Sequence, residues 1–188
     1  MNKHQIKSNK TKNKIIKTYM SIYEKKDISK ITIKEIADKS NYNRGTFYLY
    51  YKDIYDLHDK IKIELLNNIK TKIELLLEEN ILDFDIFFKT LISFFEQNEN
   101  YLITLITHDN NFSEDIKKIM KNNLTKILRK DITNNKYTDY LIEYHISSVF
   151  SLITYWVKTN KNISKEELFT LFKEIITKGV FTVMREVN

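Results

Sequence analysis

Cysteine and proline are absent from these 188 residues, and glycine occurs only twice, at Gly45 and Gly179. Without cysteine there is no disulfide, thiolate metal site or cysteine nucleophile, which fits a reducing compartment. Without proline, and with so little glycine, almost nothing interrupts a helix, and the chain is dense in Ile, Leu, Lys, Glu and Asn. An all-α fold is therefore expected. Long apolar runs are missing too: none approaches the roughly 18 residues needed to span a bilayer. The basic opening MNKHQIKSNKTKNK lacks the apolar segment of a secretory signal. These absences predict a cytoplasmic protein with no membrane partner. Catalytic signatures are likewise lacking: there is no Gly-rich phosphate loop, GxSxG elbow or HExxH, and Glu78-Glu79 and Glu166-Glu167 read as solvated helix faces. His4, His58, His108 and His145 show no i, i+4 pairing, so no zinc site is expected. The chain reads as a non-enzyme with no catalytic residues, metal or cofactor.

What is present is unevenly spread. The formal net charge is +6, but residues 1–52 hold 13 Lys/Arg against 4 Asp/Glu, whereas the rest holds 18 against 21. A basic head on a slightly acidic body suits phosphate binding at one end, because neutralising phosphates releases counterions and supplies most non-specific affinity for DNA. A solvated lysine-rich terminus would give the same count, so the local pattern has to decide.

Between Lys12 and Lys26, Ile15, Ile16, Tyr19, Met20 and Tyr23 recur at steps of three and four and predict a first helix. Thr32 can cap a second helix, about Ile33 to Ser40, and Glu35 would complete a capping box. Asn41-Tyr42 reads as a tight turn, and Asn43 as the N-cap of a third helix from Arg44 to about Tyr51. Asp53 can cap a long fourth helix on which Leu57, Ile61, Leu65, Ile69 and Ile73 step by four. Asn, Asp and Ser breaks then suggest helices near 84–97, 100–108, 113–131, 137–160 and 165–186, about nine in all. The organisation expected is a three-helix head, residues 1–53, and a larger helical C-terminal domain, residues 54–188, with the fourth helix as connector.

The most informative stretch is ITIKEIADKSNYNRGTFYLYYKDIYDL, Ile31 to Leu57. Two short helices joined by a tight turn, the second polar on one face and aromatic on the other, form a helix-turn-helix able to enter a major groove about 12 Å wide. A glycine inside a helix costs roughly 1 kcal/mol relative to alanine. Gly45 is therefore explained either by close approach of backbone to DNA or by packing against the first helix. Arg44 offers a fork that can pair with O6 and N7 of guanine, or a contact to phosphate.

Thr32-x-x-Glu35-Ile36-Ala37 followed by Arg44-Gly45-Thr46-Phe47-Tyr48-x-Tyr50-Tyr51-Lys52 resembles the N-terminal signature of the TetR family of bacterial regulators, at matching spacing. The resemblance is strong over about residues 12–60, and beyond that extends only to the number and order of helices. It implies that Thr32 contacts phosphate, that Asn43, Arg44, Gly45 and Thr46 enter the groove, and that Tyr48 and Lys52 bind phosphates. It also places Tyr50 at the DNA face and turns Phe47 and Tyr51 inward. Where family members often carry a second lysine, two residues after Lys52, this chain has Ile54. A lysine of the basic N-terminal arm could take over that contact.

By the same resemblance the chain is expected to be a homodimeric repressor, bound to a palindromic operator in double-stranded DNA and released by a small-molecule effector. The last two helices would form the dimer interface, with Ser148, Leu152, Trp156, Leu168, Phe172, Ile175 and an in-phase Gly179. Phe88, Phe95, Tyr144, His145 and Tyr155 could line an effector cavity, though an aromatic stripe at helical spacing also suits plain core. The alternative is an interaction module of the same fold, like the coactivator of dihydroxyacetone kinases, whose C-terminal domain binds a protein.

Overall fold

The computed structural model describes residues 3–78, 84–131 and 137–179. Eight α-helices and one 3₁₀ turn, Ile28–Lys30, make up the described secondary structure, with no strand among these residues. The helices are α1 (Lys3–Tyr23), α2 (Ile33–Ser40), α3 (Arg44–Tyr48), α4 (Ile54–Glu78), α5 (Phe84–His108), α6 (Asn110–Asp131), α7 (Thr138–Lys158) and α8 (Lys165–Lys178). The all-α expectation holds. The chain divides into two compact units, Met1–Asn67 and Asn68–Asn188.

In the first unit α1 buries Thr11, Ile15, Tyr19, Ile22 and Tyr23 along one face, and α2 adds Ile36 and Ala37. Phe47, Tyr51, Leu57 and Ile61 complete this core. Three expected caps are made. The Thr32 hydroxyl accepts from Glu35 N at 3.1 Å, Asn43 Oδ1 from Thr46 N at 2.7 Å, and Asp53 Oδ1 from Asp56 N at 2.8 Å. Each occupies an otherwise orphaned donor of a first turn. The capping box at Thr32 is only half formed, because the Glu35 carboxylate is engaged by Lys26 and Lys39 instead. The first helix starts at Lys3 rather than near Lys12, and the third ends at Tyr48 rather than Tyr51.

In the second unit the two helices expected at 84–97 and 100–108 are one, α5. The Asn98-Glu99-Asn100 segment does not break it. Asn98 donates to Phe94 O at 2.9 Å within the helix, and Glu99 accepts from Lys161 at 2.8 Å and Lys165 at 3.2 Å. The real break is Asp109, whose carboxylate caps α6 by accepting from Phe112 N at 2.9 Å. α5, α6 and α7 pack on one another around Phe94, Leu102, Leu105, Phe112, Ile116, Ile142, Ile146 and Ile153. α8 starts with a complete capping box between Ser164 and Glu167 and is held to α5 through Phe169, whose ring lies edge-on to Phe95 at 5.4 Å.

Candidate nucleic-acid interface

The candidate interface is built on a three-residue turn. α2 closes on Asn41, which takes the left-handed conformation (φ 58°, ψ 38°). Asn41 N donates to Asp38 O at 3.3 Å and Tyr42 N to Ala37 O at 3.0 Å. This is a Schellman closure, with asparagine at the position glycine most often fills. Asn43 then restarts the helix, its Oδ1 accepting from both the backbone N and the hydroxyl of Thr46, at 2.7 and 3.0 Å.

The inner face of α3 anchors it. Phe47 is 1% exposed, and its ring centroid is 5.5 Å from that of Tyr51. Burial, reinforced by Glu64 and Asp56, pushes the Tyr51 hydroxyl up to about 12, so it stays neutral in the physiological range. The outer face carries Arg44 and Tyr48, one turn apart and both exposed, and Arg44 makes no ion pair among the described residues. Gly45 between them is exposed. A Cβ added there would meet only Asn43 Oδ1, at 3.3 Å, and nothing from α1. Packing against the first helix is therefore not the reason for this glycine. Thr32, Asn43 and Lys52 are exposed, and Thr46 and Tyr50 are half-buried.

Charge is sorted around this surface. Asp56 accepts from Lys60 at 2.9 Å and from Lys52 N at 2.9 Å, which together hold its carboxyl below the ordinary aspartate value. Lys60 also donates to Tyr50 O at 3.1 Å. Lys26 and then Lys39 lower Glu35 in the same way. Glu35 and Asp56 are thus paired with lysines inside the unit, while Arg44 and Lys52 make no such ion pair among the described residues. Three residues of this surface were not legible in the sequence. Leu49 is 77% exposed at the end of α3, an apolar group suited to a thymine methyl. Lys12 lies over the Tyr50 ring at 5.5 Å, and Lys14 over the Tyr42 ring at 5.4 Å.

The residues expected in the body are more scattered. Phe88 lies outside the residues whose side chains are described. Phe95 is buried in the core against Phe169. Tyr144 and Tyr155 are 52% and 64% exposed rather than enclosed. His145 is half-buried; its Nδ1 has no hydrogen-bond partner among the described residues, and burial lowers its pKa. An open groove of about 400 Å³ does involve Tyr155, together with Lys117, Phe150, Ser151 and Lys158. Of the expected interface residues, Trp156, Leu168 and Phe172 are buried within this chain's own second unit, and Trp156 Nε1 donates to Ile163 O at 2.8 Å. Ser148, Leu152 and Ile175 remain half-buried. Gly179 is not in phase within a helix: it follows the last residue of α8 as its cap, with φ +84°. No group of side chains able to hold a metal occurs among the described residues, and no described helix is long and apolar enough to cross a membrane.

Two short helices at a fixed turn, with a capped and outward-facing second helix in a basic unit, define a helix-turn-helix protein. Residues 83–178 match a TetR-type family described as a transcriptional regulator C-terminal region, and this chain belongs to that family. Solved structures agree in fold. A TetR transcriptional regulator from Streptococcus agalactiae is 21% identical, with a TM-score of 0.61 over 90% of this chain and 94% of that one. The regulator FadR from Bacillus subtilis, solved with stearoyl-CoA, is 16% identical with a TM-score of 0.58, covering 89% and 98%. The dihydroxyacetone kinase operon activator DhaS is 16% identical with a TM-score of 0.56, covering 88% and 92%. Among curated proteins no sequence match is found.

Proposed function

We propose that this transcriptional regulator binds a palindromic operator as a homodimer and represses from it, with α3 as the recognition helix. The observation that carries the reading is the outer face of α3, where Arg44 and Tyr48 stand exposed on either side of a glycine that has space toward solvent. Arg44 reads a base edge or grips phosphate, Gly45 lets the backbone approach, and Tyr48, Thr32 and Lys52 position the protein on phosphates. Two such helices must stand about 34 Å apart to read successive grooves. Support for a second copy comes from α7, where Tyr140, Leu141, Tyr144 and Tyr155 are all more than half exposed.

Release by a small molecule is the regulatory part of the proposal. Effector binding would shift the population toward forms whose recognition helices no longer match the groove repeat. The B. subtilis FadR structure with stearoyl-CoA supports a ligand-responsive body in this fold. A second reading is favoured by the same exposed tyrosines and by the open groove: a body that binds a protein partner, as a coactivator would.

The test is retention of DNA from upstream of the chain's own coding sequence, with Arg44→Ala and Tyr48→Ala alongside wild type. Wild type should prefer that duplex over a scrambled one at physiological salt, and Arg44→Ala should narrow the preference. Equal binding to both duplexes by wild type would remove the operator reading.

A further inference from the structure

α1 is a 21-residue helix that contains no acidic residue, and its exposed side carries Lys7, Lys10, Lys14 and Lys17. At 100° per residue these four fall within an arc of roughly 80°, so they form one stripe. None of them has an ion pair among the described residues. Lys7 directly follows the first turn of α1, where the macrodipole is positive and acidic side chains would be favoured. Like charges at i, i+3 and i, i+4 also repel. A free-standing helix gains nothing from this arrangement. A polyanion lying along it would reverse the sign of every one of these terms.

Two lysine–ring contacts relate α1 to the recognition helix. Lys14 sits over Tyr42, the residue just before the Asn43 cap, and Lys12 over Tyr50, two residues beyond the end of α3. Through these ring contacts the two lysines reach the residues on either side of the recognition helix. Lys14 belongs to the lysine stripe, which continues from it through Lys10 and Lys7 toward the N-terminus of α1 and through Lys17 the other way. Arg44 and Lys52 supply little charge by themselves, and Lys60, Lys26 and Lys39 are already committed to Asp56 and Glu35.

We propose that α1 is a second DNA-contacting element, in which Lys7, Lys10, Lys14 and Lys17 follow the phosphates flanking the groove that α3 enters. The inference rests on the DNA-binding reading above and extends its footprint. It assigns α1 the electrostatic, sequence-independent share of the affinity and leaves discrimination to α3.

The experiment measures affinity of the full chain for the upstream duplex and a scrambled duplex across a range of KCl. It compares wild type, a Lys7→Gln/Lys10→Gln/Lys17→Gln variant, the corresponding Lys→Arg variant and Arg44→Ala. Far-ultraviolet circular dichroism checks that α1 persists in each. The expected result is a salt dependence of log K shallower by about 0.9 for each phosphate contact removed, so by roughly 2.7 in the Gln variant. Both duplexes should weaken equally, and the Arg variant should restore the slope. An unchanged slope in the Gln variant overturns the proposal, and if Arg44→Ala still narrows discrimination, the operator reading survives it. Should the same lysines instead be required for retention on phosphatidylserine–phosphatidylcholine vesicles, with the DNA slope unmoved, the stripe serves a membrane surface and the proposal fails. Loss of slope without any duplex preference in wild type would keep the stripe and remove the operator.

Discussion

The Tyr19 hydroxyl lies 2.8 Å from Nδ1 of His58, a buried hydrogen bond that ties α1 to α4 across 39 positions of sequence. Tyr23 stacks on Tyr19 with centroids 5.7 Å apart and meets His58 edge-on at 5.1 Å. Here the first unit gains a polar bond and an aromatic cluster in one place. Tyr19→Phe keeps the ring and removes the hydroxyl, so it should cost about 1–2 kcal/mol in urea unfolding. Tyr48→Phe, exposed on the outer face, should change stability by less than about 0.5 kcal/mol. Equal effects from the two substitutions would mean that the Tyr19–His58 bond contributes nothing net.

Gly45→Ala separates folding from binding. Alanine gains roughly 1 kcal/mol of helix propensity over glycine, but its Cβ would sit 3.3 Å from Asn43 Oδ1 and crowd the cap. The two effects should nearly cancel, leaving the melting temperature within a few degrees of wild type. Operator affinity should nonetheless fall tenfold or more, because the backbone can no longer approach the groove. Asn43→Ala should instead destabilise by about 1 kcal/mol, as loss of an N-cap does.

Glu99 couples the second unit to pH. Lys161, and after it Lys165, hold its carboxyl below the ordinary value of 4.5 by hydrogen bonding to the charged form. A carboxyl depressed in the folded state contributes stability above its unfolded pKa and loses it as pH falls through the lower, folded one. Glu99→Gln should therefore be less stable than wild type at pH 7 by at most about 1 kcal/mol at low salt. The gap should close in acid, as pH falls below 4.5 and through the lower, folded value, and shrink in 1 M salt. Unfolding curves at pH 7 and in acid check both the sign and the window.

The exposed face of α7 bears on assembly. Tyr140 is 77% exposed, Leu141 54% and Tyr144 52%, so Leu141→Asp with Tyr144→Glu should leave the fold intact. If α7 joins two copies, light scattering should give twice 22.7 kDa for wild type and 22.7 kDa for this variant. A wild-type monomer would instead favour the partner-binding reading of the same surface.

Much of the first unit was legible because its signals are local. Thr32, Asn43 and Asp53 act on amides three residues away, and Phe47 and Tyr51 are one turn apart, so spacing alone reveals them. The stacks of Lys12 on Tyr50 and Lys14 on Tyr42 join distant segments, and no periodicity encodes them. Glu35 had the right spacing for a capping box, but Lys26 and Lys39 compete for it with full charges. In the second unit, hydrophobic period marked Trp156, Leu168 and Phe172 as facing something apolar. Period cannot say whether that surface belongs to the same chain, and here it does. Asn98 and Glu99 resembled a break because polar side chains look alike in sequence whether they end a helix or reach across to the next one.

The left-handed Asn41 sets the angle between α2 and α3 through the chirality of a single residue. For any L side chain that conformation is strained, and asparagine only softens the strain. For a D-amino acid the same φ and ψ are an ordinary helical well. A protein assembled by chemical ligation with D-alanine at this position should keep the turn without that strain and unfold at a higher temperature. The reading head would then be stiffened by stereochemistry alone, with no contact added.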